Sequence, residues 1–304
     1  MTEQRRVILE RVRAGLKTTA HQISHLRDTV DVVEQGLIHC AGEQIEQSIS
    51  SRLALLKPIG EDLEARGVTV ELSALWSHYL PLASLIASWA SIPRRCIGGI
   101  VGLPGAGKST LTKIVHAALT RTLEKPVAVV SLDDFYFTPE QRESLGFRWR
   151  AMPGTHDLTL LSKFLNDARA SSDLLSVPRY DTRIEQRPPN KIVPMPHLIL
   201  IEGWFVGARV PGYEMLADVL DFLVYMEMEL EAAHRSRLLR EEKIRLQSNN
   251  IMGMSAEETE CFWQDAILPT ATNWVIPLKS QANLTLKVDE HYCITGLECR
   301  GKGV

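Results

Sequence analysis

Gly102-Leu103-Pro104-Gly105-Ala106-Gly107-Lys108-Ser109 meets the pattern G-x-x-x-x-G-K-[ST] at every fixed position. Glycines at this spacing let the backbone curl so that its N–H groups point inward at a polyphosphate. Lys108 is then placed to reach the β- and γ-phosphates, and the Ser109 hydroxyl to sit on Mg²⁺. With Thr110 continuing the turn, 102–110 is the expected nucleotide-binding segment, with ATP and Mg²⁺ as the implied cofactors.

Two carboxylates follow at Asp133 and Asp134, ahead of Phe135 and Tyr136. One can accept the proton of an attacking hydroxyl as a general base. The other can hold a water on Mg²⁺ or orient the acceptor, although Asp pairs also cap helices and make turns. Glu202 closes a third acidic position after the apolar run Leu198–Ile201, where a carboxylate can polarise a metal-bound water.

Between these positions, Arg148, Arg150, His156, Arg179, Tyr180, Arg183 and Arg187 form a dense set of cationic and hydrogen-bonding side chains. An acceptor bearing a carboxylate favours Arg, whose planar fork matches it bidentately. Arg150, His156, Arg179, Tyr180 and the earlier Tyr136 are the candidate acceptor contacts. Thr155-His156-Asp157 also reads as a capping turn, with Asp157 structural. Arg235, Arg237, Arg240 and Arg245 lie on a Glu-rich helical stretch. They read either as a solvated face with pairs such as Arg237–Glu241 and Glu241–Arg245, or as a lid presenting Arg237 and Arg240 to the transferring phosphoryl group.

Positioning such groups requires strands that end where the chemistry happens. The apolar runs 97–101, 127–131, 198–202, 221–226 and 283–288 alternate with helical patterns near 108–123, 158–170, 229–247 and 256–267. This alternation predicts an α/β fold, a mainly parallel sheet with helices on both faces, with ligands at the C-terminal strand ends. Residues 1–93 read instead as an N-terminal all-helical region. There Ile45, Ile49, Leu53 and Leu56 mark one apolar face. Leu72, Leu75, Trp76 and Tyr79 mark another that runs past Pro81 to Trp89. Pro58-Ile59-Gly60 and Arg66-Gly67 read as breaks between them. The expected domains are therefore 1–93 and 94–304.

The chain has 304 residues and a formal net charge of -3, so bulk electrostatics gives no reason to expect nucleic acid or an anionic membrane as partner. No run approaches the ~18 apolar residues of a membrane span. The charged Met1–Arg13 stretch lacks a signal-peptide core. Five scattered cysteines without a C-x-x-C pair fit thiols in a reducing, cytoplasmic compartment, although Cys293 and Cys299 could meet.

Several short motifs occur in a fixed order: GLPGAGKST from Gly102, SLDDFY from Ser131, PGTHD from Pro153, PRYD from Pro178, EGW from Glu202 and GMS from Gly253. Across about 96–290 the chain resembles the plant- and fungal-type D-glycerate 3-kinase group. That group belongs to the uridine kinase, phosphoribulokinase and pantothenate kinase branch of P-loop kinases. The resemblance implies ATP, Mg²⁺ and phosphorylation of a small hydroxyl acceptor, with D-glycerate giving 3-phosphoglycerate. It maps the branch's catalytic base to Asp133. The group's Gly-Arg-Gly-Asp-Arg stretch is replaced here by TRIEQRPPN at 182–190, and Ser236 stands where a tryptophan usually precedes the lid arginine. Pantothenate, a nucleoside or another sugar acid are the alternative acceptors. A guanine-nucleotide switch needs Asn-Lys-x-Asp, and Asn190-Lys191-Ile192-Val193 lacks the Asp. The N-terminal helices are expected to cover the sheet, or else to mediate binding to a partner or a homo-oligomer.

Overall fold

The computed structural model describes residues 2–170, 172–248 and 253–300. Its main sheet has six strands, side by side in the order 127–131, 198–202, 96–102, 222–227, 284–288 and 294–299. These are β1 (Cys96–Gly102), β2 (Val127–Ser131), β5 (Leu198–Glu202), β6 (Phe222–Glu227), β7 (Leu284–Val288) and β8 (Ile294–Cys299). The first five run parallel, and β8 returns antiparallel to β7. Two further strands, β3 (Leu174–Val177) and β4 (Lys191–Pro194), form a separate antiparallel ribbon.

The five expected strands are present within a residue or two of their expected ends. They are legible because β1 and β5 are buried along their whole length, as central parallel strands must be. The ribbon and β8 were not expected. They are short or carry exposed and polar residues, with Leu174 and Ile192 each 58% exposed.

Strand register gathers the chemistry. Ile100 and Ser131 both sit opposite Glu202 across the sheet. Gly102 therefore ends β1 beside the carboxylate that ends β5, and Asp133 follows two residues after the end of β2.

Residues before Pro93 are helical, with capping side chains at Thr2, Thr19 and Asp31. The break expected at Pro58-Ile59-Gly60 is absent, because one helix runs from Ile45 to Ala65. Pro58 removes a backbone donor, which ordinarily ends or kinks a helix. Here Leu56, Ile59 and Leu63 are all buried on the same face, and that packing carries the helix through. The next helix starts at Leu72–Ala74, widens to a π turn over Leu75–Tyr79 and continues as Leu80–Ala90. Its end packs on the sheet, with the Trp89 and Phe222 rings 5.0 Å apart. Buried side chains from both sides of Pro93 form one continuous apolar core.

Glu34 lies buried between Arg5 and Arg52, at 2.5 Å from each guanidinium. Burying a lone charge would be prohibitive, so Glu34 is held by both arginines, while Arg5 also donates to the Ser77 hydroxyl and Arg52 to the Trp76 carbonyl. All five cysteines are free. Cys293 does not meet Cys299. The neighbour of Cys299 is Cys40, whose thiol is pushed up to about 12 by burial and by that neighbour.

Candidate active site

Gly107 caps the helix Lys108–Thr122 with φ 85°, and Gly105 stands at φ 92°. Both values are left-handed and favour glycine. A Cβ on Gly105 would also meet the Ala233 carbonyl oxygen at 3.0 Å, so the helix Leu230–Gln247 packs directly on the loop. The first N–H groups of Lys108–Thr122 have no intrahelical acceptor and face the loop, which makes an anion site.

Lys108 is buried. Its ammonium donates to the carbonyls of Gly102 and Leu103 at 2.9 Å each. Burial lowers its pKa, opposed by Glu202 and Asp133. The Ser109 hydroxyl donates to Glu202 Oε1 at 2.9 Å. Burial raises the Glu202 pKa, with Lys108 holding it back. A hydroxyl and a carboxylate in contact at the mouth of a phosphate loop fit Mg²⁺, which takes one or two protein oxygens and completes its shell with phosphates and water.

The two aspartates separate cleanly. Asp134 is a backbone cap: Oδ2 accepts from Ser131 N at 3.2 Å and Oδ1 from Tyr180 N at 2.9 Å. Burial pushes its pKa up to about 6, against those two N–H bonds. It does not line the cavity, so the metal contact expected of it is not what the structure shows. Asp133 does line the cavity, and its carboxylate has no hydrogen-bond or ion-pair partner among the described residues.

The cavity measures about 610 Å³ and spans the loop, Asp133, Tyr136, Arg150, Glu202, Trp204, Arg237 and Arg240. Three expected acceptor contacts lie elsewhere. His156 is buried with its ring stacked 4.3 Å from that of Tyr136, and Nδ1 is 2.8 Å from the Tyr213 hydroxyl. Burial drops its pKa to about 3, so it is neutral and acts as a support for Tyr136. Tyr180 is a second support: its hydroxyl donates to Phe137 O at 3.3 Å, and its N–H holds Asp134. Arg179 is exposed and does not line the cavity. The local motif could not reveal which way each side chain faces.

Of the arginine-bearing helix, Arg237 and Arg240 reach the cavity. Arg237 pairs with Glu241 at 2.8 Å, as expected, and burial lowers its pKa to about 10. The expected Glu241–Arg245 pair does not form. Glu241 Oε2 instead accepts from Met254 N at 3.0 Å. Arg240 is exposed, with no ion-pair partner among the described residues. Arg235 turns away to Glu290 at 2.8 Å.

Part of the wall was not anticipated at all. Val70, Ala74, His78 and Tyr79 reach it from the N-terminal region, and Tyr292 and Ile294 from the β7–β8 hairpin. Tyr292 comes within 3.2 Å of where a Cβ on Gly107 would stand. Periodicity in 69–79 marks an apolar face but carries no sign that the face closes a site in the following α/β segment.

A family-level sequence comparison matches residues 97–292 to the Phosphoribulokinase / Uridine kinase family. The chain belongs to this family. Membership makes it a small-molecule P-loop kinase and implies ATP as donor, generally with Mg²⁺. Among similar curated proteins, a pantothenate kinase of Streptomyces coelicolor is 25% identical over 281 residues, covering 79% of this chain and 85% of that protein. One from Corynebacterium diphtheriae is 26% identical over 261 residues, covering 74% and 84%. Among solved structures, the YGR205w protein aligns with a TM-score of 0.63 at 21% identity, over 75% of this chain and all but 1% of that one (99% covered). A D-glycerate 3-kinase from Cryptococcus neoformans aligns with a TM-score of 0.59 at 19% identity, over 72% and 99%. At such identities the structural likenesses establish the fold. Among the described residues no helix is long and apolar enough to cross a membrane.

Proposed function

We propose that this kinase transfers the γ-phosphoryl group of ATP to the hydroxyl of a small hydroxy acid, with D-glycerate as the leading acceptor and 3-phosphoglycerate as its product. The observation that carries the reading is Asp133: a carboxylate without a partner among the described residues, on the cavity wall that also carries the phosphate loop. In this reading Asp133 accepts the proton as the acceptor oxygen attacks phosphorus. Lys108 and the 105–109 backbone hold the β- and γ-phosphates, and Arg237 and Arg240 offset charge on the transferring group. Ser109 and Glu202 would hold Mg²⁺, which neutralises charge shared between the two phosphates. Tyr136 and Arg150 line the acceptor side. The uncharged wall from Val70, Ala74 and Tyr292 fits the nucleotide's base.

Pantothenate is the second reading. The pantothenate kinases named above support it, since the match covers 85% of the Streptomyces protein. So do Trp204, Phe262 and Ile267, which give the cavity apolar surface that D-glycerate does not need. ATP consumption measured separately with D-glycerate, pantothenate and a nucleoside decides between them. Turnover with D-glycerate alone supports the leading reading. Turnover with pantothenate alone replaces it, and turnover with the nucleoside alone removes the hydroxy acid altogether.

A further inference from the structure

The segment in which this chain departs from the glycerate-kinase pattern, 182–190, builds a charged cluster at the acceptor side of the cavity. Glu185 accepts from Arg150 Nη1 at 2.9 Å and from Arg142 Nη1 and Nη2 at 3.4 and 3.3 Å. All three side chains are withdrawn from solvent, with Arg142 12%, Arg150 22% and Glu185 29% exposed. Two guanidinium groups share one carboxylate, so the cluster carries one uncompensated positive charge.

That surplus faces the cavity. Arg150 and Thr182 line it, and the Thr182 carbonyl takes a second bond from Arg150 Nη1 at 3.0 Å. Both contacts use the same nitrogen, which leaves the Nε and Nη2 donors of Arg150 without a partner among the described residues. A guanidinium edge with free N–H groups matches the two oxygens of a carboxylate.

The backbone is arranged to hold Glu185 there. Glu185 has φ 51°, a left-handed conformation that costs energy for a residue with a Cβ and persists only where its surroundings demand it. The turn is closed by Asp181 N donating to Gln186 O at 2.8 Å. Arg187, next along, is anchored on the Asp134, Phe135 and Tyr136 carbonyls. The turn is thereby tied to the segment that presents Asp133.

We infer that Arg142, Glu185 and Arg150 form the subsite for the acceptor's carboxylate, with a surplus of one positive charge that selects acceptors carrying a single negative charge away from the reacting hydroxyl. This rests on the hydroxy-acid kinase reading above and adds the group that reads the acid. Glu185 stays compensated by Arg142 when the acceptor engages Arg150, so binding strands no charge. Glu185 also sets the count: without it the cluster would offer two surplus charges and favour dianions.

The test varies the charge count and reads the ratio of KM for the acid the wild type phosphorylates to KM for its neutral primary amide. Arg142→Gln brings the cluster to neutrality, Glu185→Gln raises its surplus to two, and the double variant restores a surplus of one. The ratio is expected to rise about ten- to hundredfold in Arg142→Gln, to fall in Glu185→Gln, and to return to within about threefold of wild type in the double variant. Transfer to the acid with the same ratio in all four proteins overturns the subsite and leaves the kinase reading standing. A wild type that phosphorylates no hydroxy acid overturns both.

Discussion

Asp133 and Asp134 are chain neighbours whose oxygens have different fates, and the proposed base is the one left without a partner among the described residues. Asp134 gives both oxygens to backbone N–H groups, while Asp133 keeps its own facing the cavity. The adjacent pair was legible from its place after an apolar strand, but the split was not, because it depends on the Tyr180 amide forty-six residues away. The raised Asp134 pKa has a consequence with a definite sign. Below pH 3.8 the group is protonated in both folded and unfolded chains. Between 3.8 and about 6 the unfolded chain ionises while the folded one keeps its proton. The unfolded state therefore binds fewer protons, and stability falls as pH rises through that window, by at most about 1.4 kcal/mol per pH unit from this group. Urea unfolding at pH 4, 5 and 6 should show that slope in the wild type and a shallower one in Asp134→Asn. Equal slopes would mean that Asp134 ionises normally in the folded protein.

At the scale of elements, β1 is the strand on which the site depends, since the loop leaves from its end and Glu202 stands beside it. Its packing tolerates no side chain at Gly98, where a Cβ would lie 2.0 Å from the Phe222 ring. Gly98→Ala should destabilise the protein by about 3 kcal/mol through overpacking, measured by thermal or urea unfolding, and adding Phe222→Leu should recover part of the loss. An unchanged melting temperature would show that the β1–β6 contact is looser than described. The central strands could be read from sequence because apolar runs such as Leu198–Ile201 have few other uses. The β3–β4 ribbon could not, since four-residue strands with exposed Leu174 and Ile192 look like loop. Pro58 misleads for the opposite reason: a strong local breaker is overridden by burial of Leu56, Ile59 and Leu63. Among the cavity arginines, Arg150 was expected from the density of cationic residues around it and Arg237 from its place on the Glu-rich helix. Arg142 was not, because nothing in PEQRES indicates that its side chain turns toward Glu185.

Across the whole molecule the helices before Pro93 and the sheet after it share one apolar core. Trp89 lies on Phe222, and His197 Nε2 is 2.9 Å from the Ala90 carbonyl oxygen. Removing 1–93 would uncover that surface and also remove the Val70–Tyr79 part of the cavity wall. The truncated chain is expected to precipitate, and any soluble fraction should bind ATP weakly. A soluble truncation with wild-type ATP affinity would make the helices an appendage. The proposed reaction turns on a single proton at the junction of loop, metal side and acceptor. Its most direct test is to follow phosphoryl transfer from ATP to D-glycerate, and in parallel to pantothenate, by phosphorus NMR with the wild type and Asp133→Asn, alongside calorimetric ATP binding. The wild type is expected to give a phosphomonoester product, and Asp133→Asn to lose about a hundredfold or more in transfer rate while keeping ATP affinity within about threefold of wild type. Near-normal transfer by Asp133→Asn would contradict this role for Asp133.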